Sequence, residues 1–289
     1  MTAKQLTQKY TEFDQSRLEF TELLDNERSK GQRIAYPRYN HPTKGEDQQL
    51  MLQTPWMKIF TYGVPRLGEY YSSDKDRSFL KLPIDLSDAE VKSLYDQLHA
   101  FDERMSSPDM RKILFDKKAK KFKYIGTIRT HEVEEDQDER PPYMKLKMDT
   151  SYPDDEVKTE VWRSTQNDNG KRERTQLSVS TVDEFSEHVR YQSNVRLILR
   201  PVKLWASANP TPQYGVTWKM MKVEVEPPTT GTSSLSSFYN NDAFVDSDEE
   251  EITTGTAVNV QADESDENDS ESDSDSDSED NSTSQKAKK

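Results

Sequence analysis

Apolar residues recur along the chain at two different spacings, and the change from one to the other outlines its elements. Leu6, Tyr10, Phe13, Phe20 and Leu24 stand three, four or seven apart. That predicts an amphipathic helix stopping near Gly31, packed on its own domain or pairing with a second copy of the chain. Residues 32–53 read as an extended arm. Strand signals begin with TPWMKIFTYGVP (54–65), and RLGEYYSSDKDR (66–77) reads as a basic, aromatic loop. At SDAE (87–90) a capping box on Ser87 heads a helix with Val91, Leu94, Tyr95, Leu98 and Phe101 on one face. A second short helix from Asp109 runs into the lysine-rich DKKAKKFKYIGTIRT (116–130), which ends in a strand.

Beyond residue 140 the period is two. Met144, Leu146 and Met148 alternate with Lys145 and Lys147, and Val157, Thr159 and Val161 repeat the alternation before the turn signal NDNG (167–170). TQLSVS (175–180) reads as the returning strand, and TVDE (181–184) as a second capping box heading a two-turn helix through Val189. In NVRLILRPVKLW (194–205), Val195, Leu197 and Leu199 point one way and Arg196, Ile198 and Arg200 the other. Pro201 cannot donate to a ladder, so it marks an edge or bulge where the register changes, with Lys203 and Trp205 together beyond it. On the next strand Val216, Trp218 and Met220 share one parity, and Met221, Val223 and Val225 the other. A bulge near Met220 reconciles them, but periodicity does not say which set faces solvent. Strands, then a short helix, then a hairpin predict a mainly β chain with accessory helices, arranged as a five-stranded Greek-key barrel of the oligonucleotide-binding (OB-fold) type. The expected domains are an N-terminal helix and arm (1–53), the barrel (54–226) with a helical insertion at 87–115, and a tail (227–289).

Charge changes the picture mainly in the tail. Residues 242–289 hold 17 Asp/Glu against 3 Lys, a net of −14; removing them from the chain's 54 acids and 40 bases leaves 37 of each. The Ser/Asp/Glu-rich tail has too few apolar residues to offset the entropy of ordering and is expected to be disordered. The barrel is balanced, so overall acidity says little about its partner. Ser270, Ser272 and Ser276 each precede an acid by three positions, the pattern of acidophilic phosphorylation. Cysteine is absent, no apolar run reaches membrane-span length, and the first 30 residues are too polar for a signal peptide. An intracellular protein without membrane contact is expected, acting in cytoplasm or nucleus.

The stretch KLWASANPTPQYGVTWKMMKV (203–223) interleaves Trp205, Tyr214 and Trp218 with Lys203, Lys219 and Lys222. Single-stranded nucleic acid needs cations for its phosphates and ring faces for its bases. A strand tryptophan taken alone is more often core than platform; joint placement on such a barrel favours binding. Candidate DNA-binding residues are Arg196, Arg200, Lys203, Trp205, Tyr214, Trp218 and Lys219, joined by Lys145 and Lys147 and by Lys171, Arg172 and Arg174 after the turn. Further cations stand at Lys117, Lys118, Lys120, Lys121 and Lys123.

NVRLILRPVKLWASANPTPQYGVTWKMMKVEVEP, preceded by TVDEFSEHV and followed by an acidic tail, resembles the single-stranded DNA-binding proteins of nucleocytoplasmic large DNA viruses, which are related to the replicative single-strand binder of short-tailed phages. The resemblance is most specific at Lys203, Trp205, Tyr214, Gly215, Trp218 and Lys219. It implies sequence-independent DNA binding in viral replication, recombination or repair, and tail contacts with polymerase, helicase or primase. This chain ends SQKAKK, where the phage tail ends in an aromatic residue.

Enzyme signals are thin. His41, His99, His131 and His188 lack metal-ligand spacing, and neither a P-loop nor a dinucleotide fingerprint occurs. In PDDEVK (153–158) the carboxylates are too close together to come from the two strands a nuclease site needs. No catalytic residue, cofactor or metal is expected. The competing expectation is an acidic-tailed chaperone that shields histones or other basic proteins, with the tail as its binding surface.

Overall fold

The computed structural model describes residues 7–42, 45–131, 140–166 and 171–226. These lie in one compact unit, Met1–Thr232; the other unit, Ser233–Lys289, falls outside the described residues. So do the NDNG turn, most of the acidic loop at 132–142 and the tail. The described chain is mainly β with few helices.

The N-terminal segment departs from its apolar spacing. It forms short strands β1 (Thr7–Lys9), β2 (Leu18–Phe20), β3 (Leu24–Asp25), β4 (Gln32–Ala35), β5 (Pro37–His41) and β6 (Gly45–Gln48), with 3-10 turns at Tyr10–Glu12 and Gln15–Arg17. No helix spans 7–25. The Asp14 carboxylate accepts the Ser16 N–H at 3.0 Å, a local bond that competes with helical pairing. Of the predicted stripe Phe13 is buried, and Tyr10 and Phe20 pack partly against the core, joined by Leu18 and Leu23 from outside it, while Leu24 is 60% exposed.

The chain continues through β7 (Met51–Gln53), β8 (Met57–Lys58), the single turn α1 (Asp74–Arg77), β9 (Phe79–Pro83), α2 (Ala89–Ser106) and α3 (Pro108–Phe115). A 3-10 turn, Asp116–Lys121, leads into β10 (Lys123–Ile125), β11 (Ile128–Arg129), β12 (Tyr143–Met148), β13 (Glu160–Gln166) and β14 (Arg172–Leu177). Last come α4 (Val182–His188) and the long hairpin β15 (Asn194–Ser207) and β16 (Gln213–Glu226). The Thr181/Glu184 capping box forms as predicted. At α2 the cap is Asp88 instead of Ser87: its Oδ1 accepts from Glu90 and Val91, and Ser87 turns back to Asp85.

The hairpin organises everything else. β15 takes β4, β7 and β8 along its free edge, and β16 takes β10, β12 and β13 in parallel along its own. Residues 7–53 are thus part of the same unit, and the expected boundary at residue 53 does not exist. The pairings also close on themselves. β7 and β8 lie beside β15, β15 beside β16, β16 beside β12 and β12 beside β9. From β9, Lys81 exchanges backbone hydrogen bonds of 2.9 and 3.1 Å with Gly63, just past β8. Gly63 turns the chain with φ +101, a conformation that suits glycine.

Inside this ring sit Leu52, Leu80, Leu82, Met144, Leu146, Leu197, Leu199 and Val223, each no more than 1% exposed. The insertion supplies Val91, Leu94, Leu98, Phe101 and Met105, all buried. At ~1.5–3 kcal/mol per large apolar side chain removed from water, that one helix face contributes on the order of 10 kcal/mol. Arg104 of α2 also donates to the Gln15 and Leu18 carbonyls, tying the N-terminal segment to the insertion.

Candidate nucleic-acid interface

Two register shifts decide what the hairpin shows to solvent. The ladder pairs Ile198 with Lys222 and then Leu199 with Met220, leaving Met221 over; it pairs Pro201 with Trp218 and then Lys203 with Thr217, leaving Val202 over. Each extra residue flips the parity of its strand. Arg200, Lys203 and Trp205 therefore share the outer face, and Leu204 and Ala206 the inner one. The shift expected at Pro201 and the bulge expected near Met220 both occur.

Residues paired in register point to the same side, so the outer face can be followed from strand to strand. Phe79, Lys147, Lys219 and Arg200 are successive partners across β9, β12, β16 and β15. Lys81 and Lys145 are partners one step along, and Lys203 and Trp205 follow Arg200 toward the hairpin tip. Six predicted residues, Lys145, Lys147, Arg200, Lys203, Trp205 and Lys219, thus come together. Sequence reading missed Phe79, Lys81 and Tyr143. The alternation in FLKLP could have found Lys81, because Leu80 and Leu82 are fully buried while Lys81 is not; Phe79 and Tyr143 are themselves buried.

The cations lie on aromatic or polar supports. Lys145 Nζ sits 4.5 Å over the Phe79 ring and Lys81 Nζ 5.4 Å over Tyr143. Lys219 Nζ reaches Asp149 at 2.8 Å. Arg200 donates from Nη1 to Gln49 Oε1 at 3.2 Å, while its Nε is buried without a partner. The half-buried Trp205 indole lies across Gly215: a Cβ there would stand 3.2 Å from Trp205 Cζ2 and 3.0 Å from the Ile125 carbonyl. Only glycine admits so close an approach.

Tyr214 and Trp218, also candidate DNA-binding residues, are core residues. Trp218 is 2% exposed; its Nε1 donates to Thr127 Oγ1 at 3.1 Å, and its ring meets Phe101 of α2 edge-on at 6.0 Å. Tyr214 is fully buried among Phe115 and Tyr124 and donates to the Met105 carbonyl at 2.5 Å. Burial pushes its hydroxyl up to about 12. Both rings serve the helical insertion, which needs an apolar floor. Asp102 of α2 completes the joint, accepting from Tyr124 Oη and from the Thr127 and Ile128 N–H groups. Burial raises its pKa despite those bonds.

The chain is similar to a viral protein. An uncharacterised protein of Acanthamoeba polyphaga mimivirus is 27% identical to it over 255 residues, covering 77% of this chain. The match spans 62% of that protein, less than two thirds of its length. No family model matches the chain.

The remaining predicted cations gather at the other end of the hairpin. Arg196, Arg174 and Arg172 converge on Glu224, with N–O distances of 2.6, 2.7 and 4.0 Å, and Arg172 also pairs with Glu226. Lys171 is exposed beside them. Burial raises the Glu224 pKa, but hydrogen bonds from Arg196 and Arg174 outweigh it and hold the carboxyl below its ordinary value. The Arg172 and Arg196 guanidinium groups lie 4.6 and 4.9 Å from the Trp56 ring. Lys222 pairs with Glu160 at 2.6 Å beside Trp162. A groove of about 720 Å³ runs through this region, with Met51, Ile198, Met221 and Trp162 among its lining residues. Sequence reading overlooked the acids of KVEVE, which alternate onto the face that carries the arginines. One end of the outer face therefore groups Lys145, Lys147, Lys219, Arg200 and Lys203 around Trp205, and at the other the arginines are largely charge-compensated.

Proposed function

We propose that the chain binds single-stranded DNA without sequence preference, through the outer face that carries Lys145, Lys147, Lys219, Arg200, Lys203 and Trp205. The observation that carries this reading is the in-register row Lys147, Lys219, Arg200. Like charges placed directly opposite on neighbouring strands are destabilising; Asp149 offsets part of this at Lys219, and three cations in register favour an anionic ligand. The half-buried indole of Trp205 two positions beyond Lys203 offers a ring for a base, worth ~1–3 kcal/mol when stacked. The closed order of pairings, with a parallel strand beside the last hairpin, supports an oligonucleotide-binding barrel. The mimivirus relative supports a virus-infected cell as the setting; within it we place the chain in replication, recombination or repair. The acidic residues 242–289 would compete with DNA for the cations and recruit polymerase, helicase or primase.

Titration with oligo-dT, followed by tryptophan fluorescence, tests the reading. Quenching that a duplex of equal length does not produce, and that Trp205→Phe abolishes, is expected. Equal affinity for duplex would overturn it. Deleting residues 242–289 should tighten binding, most strongly at low salt; weakening would favour the chaperone instead.

A further inference from the structure

The lysine cluster after α3 is not used by the face just described. Lys117, Lys118, Lys120 and Lys121 are exposed on the 3-10 turn, and Lys123 is exposed at the start of β10. None forms an ion pair with a described residue. The turn is held firmly for so charged a segment. Phe115 before it and Phe122 after it stack with centroids 4.0 Å apart and planes 4° from parallel, and Phe115 rests edge-on against the buried Tyr214. Ala119 packs against the core between the two lysine pairs.

The register of β10 connects this turn to the outer face. Lys123 is paired with Gln213 and Ile125 with Gly215, and the same two residues of β16 are paired with Ser207 and Trp205 of β15. Lys123 therefore points to the same side as Trp205, one step closer to the hairpin tip. The cationic row, Trp205, Lys123 and the lysine turn follow one another along the hairpin axis. From Arg200 to Ser207 the strand covers roughly 20 Å at ~3.3 Å per residue, or about six nucleotides at the ~3.4 Å stacked spacing of one strand.

Resting on the single-strand reading above, we infer that the bound strand runs lengthwise along the hairpin, from the Lys147/Lys219/Arg200 row past Trp205, and leaves over the Lys117–Lys121 turn. The turn is a phosphate-binding extension of the site, reached only by a strand longer than about six nucleotides. Its rigid mounting lowers the entropy lost when the lysines engage phosphates.

The test compares the full chain with a variant carrying Lys117→Gln, Lys118→Gln, Lys120→Gln and Lys121→Gln, using oligo-dT of about six and about sixteen nucleotides, within the range covered by such barrels. Both proteins should have the same melting temperature, since the four side chains have no described ionic partners. The variant should bind the short strand as the parent does. On the long strand its plot of log affinity against log salt should flatten by about 2.8, four phosphates at ~0.7 each. Parental behaviour on both strands would overturn the inference, leave the single-strand reading intact and assign the lysines to an acidic protein partner. Equal losses on both strands would also overturn it. A parent that binds neither strand would instead sink the reading on which the inference rests.

Discussion

Arg200→Met separates a binding residue from a structural one, because its two readouts should move in opposite directions. Arg200 faces Lys219 across the ladder, donates to Gln49 and keeps a buried Nε without a partner. An unsatisfied buried donor costs ~1–3 kcal/mol, and a like charge directly opposite costs a further ~0.2–1 kcal/mol. Methionine has similar reach, removes both penalties and forfeits an exposed hydrogen bond of ~0.5–1 kcal/mol. The net is a stabilisation of about 1 kcal/mol, which raises the melting temperature by ~2–4 °C for a domain of this size. Loss of one charge-assisted phosphate contact of about 1.5 kcal/mol weakens oligo-dT binding roughly tenfold. It also lowers the salt slope by ~0.7. Differential scanning calorimetry and fluorescence titration at several salt concentrations read the two effects. A lower melting temperature with unchanged affinity would show that Arg200 serves the fold and that the reasoning is wrong.

Other positions should respond first through stability. Trp218→Phe removes the bond to Thr127 and part of the indole volume, and should cost ~1–3 kcal/mol in urea unfolding while oligo-dT affinity stays within twofold; a selective loss of affinity would put the indole back in the site. Gly215→Ala brings a methyl to 3.0 Å from the Ile125 carbonyl and 3.2 Å from the Trp205 ring, so it should destabilise by ~1–3 kcal/mol and shift the Trp205 emission; an unchanged spectrum would contradict the packing. Tyr214 carries a raised folded-state pKa of about 12, so the folded chain holds its proton where the unfolded chain, near ~10, has released it. Its contribution is complete below pH ~10 and is lost as pH rises toward 12. Alkaline unfolding curves of the parent should fall across that window, and those of Tyr214→Phe should fall less.

Much of the hairpin was legible in the chain. The alternation in NVRLIL and in MKLKM, the Thr181/Glu184 capping box and the register shift at Pro201 all follow from local chemistry. A strand's period is two, a capping box needs four residues, and proline lacks a ladder donor. For the same reason Lys145 could be grouped with Lys147, and Lys203 with Trp205, before any pairing was known; that these pairs share a face with Arg200 and Lys219 came only from the pairing.

Tertiary structure alone decided which aromatic rings were available. Around the Met221 bulge β16 carries apolar residues on both parities, and only the arrival of α2, with Phe101 against Trp218 and Met105 over Tyr214, made one side interior. The N-terminal stripe had helical spacing, but pairing with β7, β5 and β4 and the grip of Arg104 on its carbonyls gave its backbone better partners than a helix would. Arg196 and Arg172 meet their acids 28 and 54 residues away. Spacing within a strand records which side chains share a face; what lies against that face comes from distant segments, and that contact determines whether a tryptophan packs in the core or a lysine faces solvent.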